Sequence, residues 1–457
     1  MKHASPLLVG TLVLAALPAR GQVVSPPVVT TVMTRLDNPR GLAFGPGGAL
    51  FVAEAGRGSA PCPPAGGGLT CYGLTGAVSR LWHGQQDRIV SGLPSISFPQ
   101  GASARGPHDI AMRFGMGAGG SDLGVGGAHL TIGLEADPAT RVTLNRPDLG
   151  KLVHIPTRAL FAPSSHLCEE DCWRPVVDIA AYEYESGIPG GPDSGAPESD
   201  PYGLLIQRRG HHPHHDHDHD GEDDDDDGAE EGGAGDVVVD ASGNSLLHVD
   251  REGEISLLAV FPSRSTVPPR PHDPGVALTD AVPTSVVVGP DGAYYVGELT
   301  GIPFVGAARD VSNVYRVERG QDPFHPAVFL DGHATHFNAI IDMVFRGGDL
   351  YILQHWTVAP NANPRDGKLI RLACSGRPLV CDGLHPTTVL GGLDGPTSVA
   401  VGPDGALYVT NHGASPAFVA GVYTPVGEVL RIDDGEVDGH DGHGNHGHDD
   451  HEDEEPE

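Results

Sequence analysis

The stretch Gly395–Asn411, GPTSVAVGPDGALYVTN, decides the fold. Ser398–Val401 is a short β-branched run with strand character. Gly402-Pro403-Asp404-Gly405 predicts a tight turn, because proline fixes one dihedral and glycine tolerates positive φ. Leu407–Val409 then predicts a second strand. The phrase returns at Val282–Glu298 (VPTSVVVGPDGAYYVGE) and at Asn38–Glu54 (NPRGLAFGPGGALFVAE), with a weakened copy at Asn338–Gln354 (NAIIDMVFRGGDLYILQ). Pro396 follows Pro283 by 113 residues, and Tyr351 lies 56 residues after Tyr295 and 57 before Tyr408. Short strands and Gly/Pro turns recurring at about this period are the mark of a β-propeller.

Working outward from the phrase gives an all-β, six-bladed propeller over 22–432. Blade 1 starts at Asn38, with outer strands at Ala77–Leu81 and Arg88–Val90. Blade 2 takes His108–Met112, His129–Leu134, Lys151–Ile155 and Val176–Ile179. Blade 3 starts at Pro201-Tyr202-Gly203, is interrupted by His211–Gly235 and resumes at Asp236–Asp240. Gly203 and Ser285 are 82 residues apart, and removing the 25-residue interruption restores a spacing of 57. The interruption is therefore an outgrowth of a blade and not a domain. Blades 4, 5 and 6 start at Ser285, Asp342 and Ser398. Val28–Val32 is expected to pair with Glu428–Ile432, closing the ring and removing an open sheet edge.

Composition agrees. With 65 Gly and 41 Pro in 457 residues the chain is punctuated too often for long helices. Residues 1–21 read as a secretory signal: a basic start, a short apolar run and small residues before Gln22. That run is too short to span a bilayer, so the mature chain is expected to be exported, periplasmic or extracellular, with no membrane span and as a monomer. Six cysteines in three local pairs, Cys62 with Cys71, Cys168 with Cys172 and Cys374 with Cys381, fit disulfides in an oxidising compartment. His166, Cys168 and Cys172 leave zinc as the other reading of one pair.

The net charge of −32 is unevenly spread. His211–Glu231 holds 11 acids and Asp433–Glu457 holds 12, with no Lys or Arg in either, and subtracting these 23 leaves −9. Such composition cannot bury a core, so residues 211–235 and 433–457 are expected to be disordered. Nothing resembles a basic, aromatic nucleic-acid surface.

The phrases Asn38–Glu54, Val282–Gly301 and Gly395–Asn411, with Asp200–Leu204 (DPYGL) and Asp236–Asp250 in their order, resemble the ScyD/ScyE family. These are exported six-bladed propellers named from scytonemin-pigment gene clusters. The resemblance covers about Val28 to Asp433 and implies the fold. The family name records gene neighbourhood and implies no reaction. The two His/Asp-rich segments lie outside the resemblance.

Two places could carry chemistry. In the channel, the residue ending the second strand of the phrase is always polar: Glu54, Glu298, Gln354 and Asn411, with Asp240 in blade 3. Asp109 and Asp342 start the inner strands of blades 2 and 5, which face each other in a six-fold ring. Hard oxygen donors converging there would suit Ca2+ or Mg2+, as in gluconolactonase-type propellers, and polar strand ends meeting channel water are the plainer alternative. His108-Asp109 and Asn411-His412 could supply an acid or base. Elsewhere, His211, His212, His214, His215, His217 and His219, with His440, His443, His446, His448 and His451 in the tail, suit weak binding of Zn2+, Ni2+ or Cu2+. Asp216-x-Asp218-x-Asp220-Gly221 opens like an EF-hand loop, but position twelve is Asp227, position eight is Asp223 and no amphipathic helix flanks it. No nucleophile elbow, zinc-protease motif or P-loop is present. Two functions stay open: a binding or scaffold module for an unidentified protein or small-molecule ligand, and a divalent-metal-dependent hydrolase of the gluconolactonase kind.

Overall fold

The computed structural model describes residues 26–435 apart from 63, 66–67, 114–125, 164–171, 189–196, 208–233, 266–277, 302–309, 358–365, 415–416 and 420–421. Six four-stranded antiparallel sheets form the blades of a propeller. Their inner strands are Pro39–Phe44, Pro107–Arg113, Pro201–Gln207, Pro283–Val288, Ile340–Arg346 and Ser398–Val401. The closure is as expected. Val28–Leu36 is the outermost strand of blade 6, with Val28 opposite Asp433 and Thr31 opposite Leu430. Met33 and Leu36 of this strand are buried, so the ring is latched by apolar side chains as well as backbone bonds.

The recurring phrase has a physical reason at each letter. In blade 4, the Asp291 carboxylate accepts from Tyr295 Oη at 3.1 Å and from Arg316 Nη2 of the third strand at 2.7 Å. In blade 6, Asp404 accepts from Tyr408 Oη at 3.2 Å and Arg431 Nε at 2.7 Å. The turn aspartate thus ties three strands together. The glycine opening the turn is needed because the tyrosine ring lies against it: a Cβ on Gly289 or Gly402 would come within 2.3 or 2.4 Å of that ring.

Blade seams are apolar. Between blades 4 and 5, Tyr295, Ile340, Met343, Ile352 and Ile370 form one buried cluster. Blade 1 differs from expectation in its outer strands, which run over Cys71–Trp82 and Gln85–Ser97. Gly73, Gly76 and Pro94 hid this length, and the ladder accommodates the glycines by shifting register at Gly73/Gly76 and Gly76/Val78. In blade 2 the fourth strand is Arg174–Asp178, and Ile179 instead opens an eight-residue helix, Ile179–Ser186, whose first turn Asp178 caps through the Ala181 N–H at 3.0 Å. Cys62–Cys71 and Cys374–Cys381 are disulfides. Cys172 is disulfide-bonded too, while Cys168 lies outside the described residues.

The two faces of the ring differ. Inner strands start on one face, here the mouth, and run to tight turns on the other. Residues 208–233 join the propeller on the turn face, between the first and second strands of blade 3. The last strand, Gly427–Asp433, also ends there, and Asp434 is bound by Arg346, which reaches Gly405 O of the blade 6 turn at 3.2 Å.

Candidate functional site

One irregularity recurs at the start of the inner strands. The register shifts between Pro39 and Leu42, Pro107 and Ile110, Pro201 and Leu204, Pro283 and Ser285, and Ile340 and Asp342. A β-bulge at the same point in five blades re-aims the residues beside it. These are Arg40-Gly41, His108-Asp109, Tyr202-Gly203, Thr284 and Ile341-Asp342, and they ring the channel mouth.

Asp109 and Asp342 occupy matching positions in opposed blades. Asp109 Oδ1 accepts from its neighbour Ile110 N at 2.8 Å, and Oδ2 from Leu204 N of blade 3 at 2.8 Å. Asp342 Oδ1 accepts from Met343 N at 2.8 Å, and Oδ2 from Val399 N of blade 6 at 2.8 Å, with Ser398 Oγ adding a bond at 2.7 Å. The two acids are thus related by an approximate two-fold about the channel. Both keep partial exposure in the channel. Room for Asp109 comes from Gly41, where a Cβ would lie 2.0 Å from its Oδ1.

The electrostatics follow from enclosure. Burial and then the charge of Asp342 raise Asp109 well above the usual carboxylate range. Burial raises Asp342 to about 6 in spite of its hydrogen bonds. Like charges so placed resist ionising together, and the pair tends to keep a proton. The Tyr202 ring lies 4.5 Å from that of His108, tilted by 42°, and in the fields of Arg40, Asp109, Asp200 and Asp342. Burial holds its phenol protonated, and its hydroxyl makes no hydrogen bond among the described residues. Burial, and next the Arg40 guanidinium, lower His108 well below the ordinary imidazole range, so it stays neutral. Arg40 itself bridges blades 6 and 2 through Gly413 O and Ala104 O.

The residues ending the second strands lie elsewhere. Glu54 is fully buried and accepts from Asp37 N at 2.6 Å, from Ser79 Oγ and from Arg88 Nε at 3.3 Å, all within or entering blade 1. Asp240 accepts from Asp200 N at 2.7 Å and Gly243 N at 2.8 Å. Glu298 accepts from Asn313 N at 2.9 Å, Asn411 Oδ1 from Asp394 N at 2.9 Å, and Gln354 donates to Asn338 O at 2.9 Å. Each side chain staples its own blade where the chain enters or turns. His412 is likewise held on blade 6, 3.3 Å from Asp394 and 3.7 Å from Glu428.

This arrangement does not fit a channel Ca2+ or Mg2+ held by Glu54, Glu298 and Asn411, because their oxygens already serve blade N–H and guanidinium donors. Among the described residues no group of three or more His, Cys, Asp or Glu could hold a metal ion. The six histidines of His211–His219 and the five of His440–His451 lie outside the described residues.

No family model matches the chain, and neither does a curated protein. Among solved structures it is similar to an oxidoreductase (glucose dehydrogenase) from Thermus thermophilus, at 18% identity over 89% of this chain and 99% of that one, with a TM-score of 0.46. It is also similar to a calcium-binding protein, regucalcin, from Agrobacterium tumefaciens, at 13% identity, 89% and 95% coverage and a TM-score of 0.43. Likeness at this level says nothing of this chain's chemistry.

Proposed function

We propose that this chain is an exported ligand-binding propeller of the ScyD/ScyE kind, which seats a small hydroxylated molecule on the channel axis between Asp109 and Asp342. One observation carries the reading: two partly exposed carboxyls stand at matching places in opposed blades, both raised above the usual range by burial, beside a Tyr202 hydroxyl that makes no hydrogen bond among the described residues. A protonated carboxyl donates, an ionised one accepts, and a phenol does both. A neutral hydroxyl group answers all three. A bound cation would instead need further oxygen ligands.

The test is calorimetric titration of the full chain with glycerol, inositol, monosaccharides and Ca2+. Hydroxylated probes should bind wild type and Glu298→Gln but not Asp109→Ala or Asp342→Ala. Binding that survives both alanine variants would end the proposal. A second reading, hydrolysis of a lactone or ester, draws on the same pair, since one carboxyl holding a proton beside an ionised one suits acid–base work. Turnover of gluconolactone that disappears in Asp342→Asn would favour it.

A further inference from the structure

The seam between blades 2 and 3 contains a carboxyl pair outside the channel site. Glu183 projects from the helix Ile179–Ser186 into blade 3 and is fully buried. Its Oε1 accepts from Ser245 Oγ, while its Oε2 has no hydrogen-bond partner. Gly243 makes room for it: a Cβ there would lie 2.7 Å from a Glu183 carboxylate oxygen. Asp240, also fully buried, lies close enough for its charge to act on Glu183. In blade 1 the corresponding acid, Glu54, is met by the guanidinium of Arg88. In blade 3 a second acid stands beside Asp240.

We propose that a proton kept on the Glu183 carboxyl beside Asp240 latches this helix onto blade 3, and that losing it loosens the seam between blades 2 and 3. The groups facing Glu183 agree. Asp240 and Ser245 come from blade 3, and Tyr182 shares its helix. Behind Asp240 lies Asp200, which faces Glu135 and Arg105, and that guanidinium already answers both of those acids. Burial, then Asp240, raises Glu183 from 4.5 to about 8. The sign follows from linkage. Between those values the folded seam keeps a proton that the open form has released, so the latch is complete at low pH and weakens as pH rises toward 8.

Hydrogen–deuterium exchange of the full chain at pH 6 and pH 8, corrected for intrinsic rates, tests this. Peptides covering 179–188 and 241–249 should lose protection by up to about ten-fold per pH unit, one proton's worth, relative to the blade 4 strands at 283–298. Glu183→Gln, which keeps the shape and the Ser245 bond, should hold seam protection constant across that range. If wild-type seam and blade 4 peptides change in parallel, the latch does not exist, and that comparison needs no variant. Wild-type pH dependence retained in Glu183→Gln would also overturn it.

Discussion

Truncating Glu54 separates a blade staple from a channel ligand. Glu54→Ala strips the acceptor from the Asp37 N–H, which bonds to it at 2.6 Å, and from the Ser79 hydroxyl, both of them buried. Each donor left unsatisfied costs about 1–3 kcal/mol. The lost pairing with Arg88 adds less, about 1 kcal/mol, because that side chain is 39% exposed and can turn to water. The sum is about 3–7 kcal/mol. With an unfolding entropy of about 2.1 cal/mol/K per residue over roughly 400 folded residues, the midpoint should fall by about 4–8 °C. Glu54→Gln keeps an acceptor for Asp37 and should fall by less than half as much. Differential scanning calorimetry gives the shift, and titration of the same variants with the hydroxylated probes gives channel binding. The staple requires a lowered midpoint with binding intact. An unchanged midpoint with binding abolished would refute the assignment and return Glu54 to the channel.

Other expectations follow from the same geometry. Gly41→Ala should cost about 1–3 kcal/mol by overpacking against Asp109, and probe affinity should drop in parallel, read by melting and calorimetry together. Burial works to raise the carboxyls of Asp291 and Asp404, but hydrogen bonds from Arg316 and Arg431 outweigh it and hold both below the usual range. Their stabilisation is present above the unfolded value of 3.8 and is lost as pH falls through the lower folded values. Asp291→Asn with Asp404→Asn should therefore flatten the acid limb of a melting-versus-pH curve. Replacing Cys374 and Cys381 by serine should cost about 2–3 kcal/mol by the loop-entropy argument, with channel binding unchanged.

The fold was legible because its repeat is written in turn chemistry. Gly-Pro-Asp-Gly followed by a strand tyrosine reads as a turn, and the structure adds that its aspartate also holds an arginine one strand away. Asp109 and Asp342 were legible from their place at inner-strand starts in opposed blades. Glu54, Glu298 and Asn411 were read toward the channel because strand ends are polar, yet they close second strands, one layer out, and bond within their blades. Alternation along a strand gives a side chain's parity but not its aim at a bulged or terminal position. Arg40 and Tyr202 are obscured for the same reason, although their position carries a signal: both follow the proline that opens an inner strand, where blade 2 has His108. Glu183 had no signal at all, since its partner lies 57 residues away across a seam.

The histidine-bearing segments 208–233 and 436–457 both join the ring on the turn face, from blades 3 and 6, on opposite sides of the axis. Two anchors placed so would fix the tilt of the molecule as well as its position. Should those histidines take nickel, a chelate surface would hold the propeller turn face down, like a bowl on two feet, with the mouth and its paired acids open to solution.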